Sequence, residues 1–238
     1  MIDIKRYRNE WKYCCSNHDY SILVSRLSAL LDKDSHGDKY GNYEIHSLYF
    51  DDYKDSCVKE NDAGIGKRYK YRIRYYGSQC QFLKLECKQK NYDRCYKEGC
   101  LISADEYEKI MSGNADELLM YTDKPLLKRF CVQSMTKQFT PKAIIDYTRT
   151  AYTDENMNIR VTLDENISVA DDFEHFLEGD YIRYPIQHEE QYVLEVKFDY
   201  MMPGYIRHVI TNSNLIQTSN SKYCLGRRVL QGMHQIGL

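Results

Sequence analysis

The sequence predicts an α+β fold with flanking helices, in which about eight antiparallel strands can close into a β-barrel. Three observations lead there. Charged and apolar side chains alternate in Arg72-Ile73-Arg74 and in Phe82-Leu83-Lys84-Leu85-Glu86-Cys87-Lys88, the period of a strand whose two faces meet different surroundings. The alternation returns at Tyr147-Thr148-Arg149, at Arg160-Val161-Thr162-Leu163-Asp164 and at Val193-Leu194-Glu195-Val196-Lys197-Phe198. Tyrosines number 23 against 7 phenylalanines, and tyrosine suits strands with one apolar and one wet side.

The elements follow in order. Lys5 to Tyr13 reads as a strand with Arg8, Glu10 and Lys12 on one face. Ser16 or Asn17 then caps a helix whose Ile22, Leu23, Leu27, Leu30 and Leu31 recur at helical spacing. A polar loop around Ser35-His36-Gly37-Asp38 precedes a strand from Tyr43 to Phe50, and Asp51-Asp52 can open a short helix. Residues 67–77 and 80–90 form two strands joined at Gly77-Ser78, with another near 94–101. Ser103-Ala104-Asp105-Glu106 is a capping-box pattern for a helix to about Met111. A second helical region from about Ala115 to Met135 is interrupted at Pro125. Strands recur near 142–153, 158–164 and 190–199, and helices follow at about 205–212 and 221–233. No repeat or linker divides the chain, so residues 1–238 are read as one domain.

Composition narrows the function classes. A formal charge of −2 argues against nucleic-acid binding, which shows as a basic excess, but it leaves room for a basic cavity inside a near-neutral chain. No run approaches the length of an apolar membrane span, and no signal segment is read at Met1-Ile2-Asp3. Nine cysteines, with Cys80, Cys87, Cys95 and Cys100 lacking C-x-x-C spacing, read as reduced thiols and not as a zinc site, which points to the cytoplasm. The histidines show no metal-ligand spacing. Gly64-Ile65-Gly66-Lys67 lacks the full phosphate-loop pattern and reads as a turn.

One alternating strand would simply be a solvated face. Five strands with lysine- and arginine-rich faces instead suggest that those faces meet and line a basic interior sprinkled with carboxylates. Such an interior suits a polyanion and a metal ion.

The run Arg8-x-Glu10-x-Lys12-Tyr13, then Ser47-Leu48-Tyr49-Phe50-Asp51, Arg72-Ile73-Arg74-Tyr75-Tyr76-Gly77 and Leu85-Glu86-Cys87-Lys88 occur in this order. Tyr147 to Tyr152, Arg160 to Asp164, Leu194-Glu195-Val196-Lys197 and Ser221-Lys222-Tyr223 complete the set. Over residues 5–230 the chain thereby resembles the VTC domain, the polyphosphate polymerase module of the triphosphate tunnel metalloenzyme (CYTH-like) superfamily. The resemblance implies an eight-stranded barrel with ionic walls, and a phosphotransferase moving the γ-phosphoryl group of ATP onto a polyphosphate chain. It implies that Lys12, Arg72, Arg74, Lys88, Arg149, Arg160 and Lys222 act on phosphates. Lys84, Lys97, Lys197 and Tyr49 are further substrate contacts on the same reading, with Lys197 and Asp164 also able to orient their neighbours. Glu195 is the first choice as ligand of Mg²⁺ or Mn²⁺, with Glu10 and Glu86 as helpers, since carboxylate oxygens suit hard cations. The competing reading of these glutamates is as salt-bridge partners.

Two departures from the family pattern stand out. Eukaryotic members carry an SPX domain before this module and membrane helices after it. Without them, the expectation is work in the cytoplasm or at the inner face of a membrane with an integral-membrane partner. Members also place a lysine shortly before Ser-Lys-Tyr, where this chain has Thr218, Ser219 and Asn220. The rival functions are a metal-dependent triphosphatase of the same fold and a non-catalytic module binding polyphosphate or inositol phosphates. Tunnel triphosphatases show an E-x-E-x-K pattern; Arg8 at its first position favours holding an anionic acceptor.

Overall fold

The computed structural model describes residues 7–35, 37–38, 40–187, 191–211 and 215–236. The expectations for Lys5, Arg6, His36, Glu190 and Asn212 lie outside the described residues. Eleven strands and seven helices follow one another in these residues. They run β1 (Arg8–Ser16), α1 (Asn17–Leu30), β2 (Asp32–Lys33), β3 (Asn42–Asp51), α2 (Ser56–Asp62), β4 (Lys67–Tyr76), β5 (Leu83–Asn91) and β6 (Arg94–Ile102). Then come α3 (Ala104–Met111), α4 (Ala115–Tyr121), α5 (Pro125–Lys137), β7 (Thr140–Asp154), β8 (Ile159–Ala170), β9 (Tyr184–Pro185), β10 (Gln191–Phe198), α6 (Gly204–Thr211), β11 (Ile216–Gln217) and α7 (Lys222–Ile236).

Local chemistry accounts for the helix starts. Ser16 accepts from the Asp19 backbone N–H while Asp19 accepts from that of Ser16, a reciprocal cap that starts α1. Ser103 and Glu106 do the same for α3. Pro125, which lacks an N–H, takes the first position of α5 and so splits the helical run from Ala115 into α4 and α5. The short helix expected at Asp51-Asp52 starts later, at Ser56. Asp51 and Asp52 instead accept backbone N–H bonds that tie down the turn before it.

The closed eight-stranded barrel expected from the sequence is corrected by the observed sheet. Eight long strands pair antiparallel in the ring order β7-β3-β4-β5-β6-β1-β10-β8 and back to β7, but the ring is not a barrel. The sheet has eleven strands, because the two-residue β2, β9 and β11 attach to β7, β8 and β1. Among the described residues the β1–β6 seam shows two residue pairs, Arg8 with Cys95 and Asn9 with Arg94, whereas β5–β6 runs over nine. A helix also takes up part of the space that a tunnel would need. Tyr223, Cys224 and Leu230 of α7 pack against Tyr49, Ile145 and Val169, residues on the ionic side of their strands.

The other strand faces build the remaining core. Ile73 and Leu85 pack outward against Leu127 and Phe130 of α5. Val161, Leu194 and Val196 pack outward against Leu23 and Leu27 of α1 and Ile206 of α6. Each such side chain contributes about 1.5–3 kcal/mol by leaving water, enough to fix which face of each strand turns inward. Parity then does the rest: with Ile73 and Leu85 outward, Arg72, Arg74, Lys84, Glu86 and Lys88 must point in.

Candidate active site

The inward faces enclose a cavity of about 440 Å³. Among the described residues thirteen lysines and arginines line it against two glutamates, Glu10 and Glu195, a lining that suits a polyanion. All seven residues read as acting on phosphate line this cavity: Lys12, Arg72, Arg74, Lys88, Arg149, Arg160 and Lys222. Tyr49, Lys97 and Lys197 line it as well. Lys84 does not; its stem lies against Gly99, away from the cavity wall.

Carboxylates hold the cations in three knots. Glu86, fully buried, accepts from Arg72 Nε and Nη2 at 2.9 and 2.7 Å through one oxygen and from Lys97 Nζ at 3.0 Å through the other. Arg72 Nη1 also donates to Tyr49 Oη at 2.7 Å, and Arg74 donates to Ser47 Oγ and Tyr147 Oη. Burial would raise the Glu86 carboxyl, but Arg72, Arg74 and Lys97 hold it well below the carboxylate range. Burial likewise opposes ionisation of Tyr49, yet Arg72 and Arg74 pull its phenol down to about 8.

Asp164 centres the second knot. It receives a two-pronged bond from Arg149, at 2.6 and 2.8 Å, and one from Lys222 Nζ at 2.6 Å. Against its burial, those two cations lower its carboxyl to about 2. Lys222 reaches it because α7 starts at the cavity wall. Arg160 stands apart, bound to Asp34 and donating to Tyr43 Oη.

The third knot joins Glu10 of β1 and Glu195 of β10. Register places Glu10 opposite Lys197 and Lys12 opposite Glu195, so the two carboxylates lie diagonally on one face. Lys88 Nζ donates to both oxygens of Glu10 at 2.6 and 2.7 Å. Lys12 Nζ lies 3.7 Å from Glu10 and 3.5 Å from Glu195, while Lys197 contacts Glu195 and lies 3.9 Å from Glu10. Burial and the neighbouring Glu195 both raise the Glu10 carboxyl, but Lys88, Lys12 and Lys197 bring it down to about 2. Glu195 is held well below its ordinary range, against burial, by Lys197 first and then Lys12 and Lys88.

This arrangement separates the three glutamates as metal ligands. Glu10 and Glu195 are ionised and face the cavity, bridged by the ammonium groups of Lys12 and Lys197, which a hard divalent cation would have to displace to bind there. Glu86 does not fit that role. It is fully buried and does not line the cavity, and Arg72 and Lys97 bond its two oxygens as salt-bridge partners. Among the described residues no group of three or more His, Cys, Asp or Glu is placed to hold a metal ion.

Several lining groups were not singled out from the sequence. Arg68 and Lys70 sit four and two residues before Arg72, and Lys90 two after Lys88, so strand parity alone would have found them. Lys70 Nζ donates to Ser221 Oγ at 2.8 Å and thus brings a cation to the start of α7. Arg8 lines the mouth and pairs with Asp199 at 2.9 Å. His46 points to the opposite face, stacked on Tyr75 and 3.1 Å from Asp146. All nine cysteines are free.

Solved structures with a similar shape are distant in sequence. A Bacillus halodurans protein described as a candidate adenylate cyclase superposes with a TM-score of 0.56 at 12% identity, over 91% of this chain and 95% of that one. A conserved hypothetical protein of Pyrococcus furiosus matches with a TM-score of 0.42 at 14% identity, over 86% of each chain. The first shows a common fold. No curated protein sequence matches the chain. The model of the VTC domain, however, matches residues 7–231, nearly the whole length. The chain therefore belongs to the VTC domain family, the polyphosphate-polymerase type of phosphotransferase within the generally metal-dependent CYTH-like superfamily.

Proposed function

We propose that this protein transfers the γ-phosphoryl group of ATP to the end of a growing polyphosphate chain inside the cavity. The observation that carries this reading is the excess of thirteen cations over two carboxylates in one walled space. In the step itself, a terminal phosphate oxygen of the acceptor forms the new P–O bond, the bond to the β-bridging oxygen breaks, and ADP leaves with the electron pair. Such a transfer needs alignment and charge neutralisation more than covalent help.

The residues divide that task. Arg72, Arg74, Arg149 and Arg160 present planar forks that can grip two oxygens of one phosphate. Lys12, Lys88, Lys97, Lys197 and Lys222 act as movable point charges along the chain. Tyr49 keeps Arg72 in place through its phenol. Glu195 with Glu10 would hold a divalent ion, Mn²⁺ or Mg²⁺, which when bound offsets charge on the β- and γ-phosphates. No described helix is long and apolar enough to cross a membrane. The family resemblance supports work in the cytoplasm, alone or beside an integral-membrane partner.

The test is incubation of the purified protein with ATP, Mn²⁺ and a short polyphosphate primer, resolved on gels. Long chains are expected, with Glu195→Gln cutting their synthesis at least about a hundredfold while primer binding persists. Free phosphate without chains would assign the fold to a triphosphatase. Binding without turnover, unchanged by Glu195→Gln, would leave only a binding module.

A further inference from the structure

A second groove, of about 830 Å³, lies on the outer side of β4 and β5, under α4 and α5. Its floor is Tyr69, Tyr71, Cys87 and Gln89, the outward side chains of the strands whose inward side chains line the cavity. Among the described residues five cations edge it, Lys67, Arg68, Lys90, Lys128 and Arg129, and no carboxylate belongs to its wall. Arg129 is paired with Glu98 just outside, while among the described residues Arg68 donates to Ile65 O and Asn61 Oδ1. Burial first, then Arg68 and Lys88, hold Lys90 below the ordinary lysine range.

The groove is continuous with the cavity. Arg68, Tyr69 and Lys90 belong to both walls, and Arg68 faces Lys90 across the β4–β5 ladder at the end of the strands. Positive charge therefore runs from the inward face, around the strand ends, to the outward face. In a chain of net charge −2, this concentration has to be balanced by acid elsewhere on the surface.

We propose that the outer groove is a second binding site for polyphosphate, holding the length of chain that has left the cavity past Arg68 and Lys90. This rests on the polymerase reading and adds to it a track outside the reaction centre. Phosphates in the groove meet lysine and arginine heads, and the exposed, flexible Lys67 and Lys128 let the chain slide. Retaining the product between additions favours long chains over many short ones.

The experiment compares the whole wild-type chain with Lys67→Glu/Lys128→Glu, two residues that do not line the cavity. A control carries the same charge change at Lys33 and Lys109, which line neither space. Affinities are measured for tripolyphosphate and for polyphosphate of about a hundred units, together with initial ATP turnover and product length. The groove variant should bind tripolyphosphate and start turnover within about twofold of wild type, lose about tenfold in long-chain affinity, and make shorter products. The control should behave as wild type. Unchanged long-chain affinity and product length would overturn the groove while leaving the polymerase reading intact, and would turn attention to an acidic protein as its occupant. Equal losses in the control, or a matching loss for tripolyphosphate, would also overturn it. Failure of the wild type to bind or extend polyphosphate would overturn both.

Discussion

Arg72 shows what a single residue of the lining does. Its guanidinium spends two N–H groups on Glu86 and one on Tyr49, so it serves the fold and the cavity at once. Arg72→Ala would leave Glu86, fully buried, with Lys97 and a 3.9 Å contact to Arg74. The expected cost is about 3 kcal/mol in urea unfolding, because a buried carboxylate loses its main partner. Activity should fall at least about a hundredfold. Arg74 is held by neutral oxygens of Ser47 and Tyr147, so Arg74→Ala should lose comparable activity with a smaller stability penalty. Lys97 supplies a pH dependence. Burial first, then Arg72, Arg74 and Lys197, lower its ammonium to about 7, tempered by a side chain still 48% exposed. Its charge is present below that pH and lost above it, so its share of polyphosphate affinity should fade as pH rises through 7 to 8. Titration calorimetry should find proton uptake on binding at pH 8, and Lys97→Gln should remove it.

Among the elements, α7 carries the sharpest constraint. Gly226 lets it approach β7 and β8 so closely that a Cβ there would lie 2.6 Å from Ile145 Cδ1 and 3.0 Å from Val169 Cγ2. Both neighbours are buried, so Gly226→Val should destabilise by about 2 kcal/mol in denaturant titration and loosen Lys222 from Asp164. The eight long strands and most helices were legible in the sequence, because alternation, capping boxes and Pro125 are local signals, whereas the two-residue β2, β9 and β11 were not. The inward direction of Arg72, Lys88, Arg149 and Glu195 was legible too, from the apolar residues between them. What α7 covers was not legible: its apolar residues announce a buried face but not the inner side of the sheet. The β1–β6 register was also hidden, since pairing between distant strands leaves no mark on either one. Glu86 and Glu195 occupy equivalent positions in their strands. The family pattern ranks Glu195 first, and the structure separates the two by place: Glu195 lines the cavity, whereas Glu86 is fully buried and does not.

At the scale of the molecule, the governing quantity is uncompensated positive charge in a confined space. A polyanion in the cavity removes that repulsion in the folded state and has no equivalent site in the unfolded chain. Tripolyphosphate at about a hundred times its dissociation constant should therefore add about 2.7 kcal/mol and raise the melting temperature by roughly 5–10 °C. The shift should shrink as sodium chloride weakens binding, since salt screens the exposed mouth and competes for the same cations. A shift that is insensitive to salt would show that charge is not what holds the ligand.

The three carboxylate knots have a consequence for how the protein waits for its substrate. Glu86, Asp164 and the Glu10–Glu195 pair hold lysine and arginine side chains in ordered positions before any phosphate arrives. They are stand-ins for the polymer, resident anions that keep flexible arms extended and desolvated. Phosphate entry is then a change of counter-ion, in which part of the ordering cost was met when the chain folded. A lining of free lysines would grip as many charges but would have to be organised anew at each added phosphate.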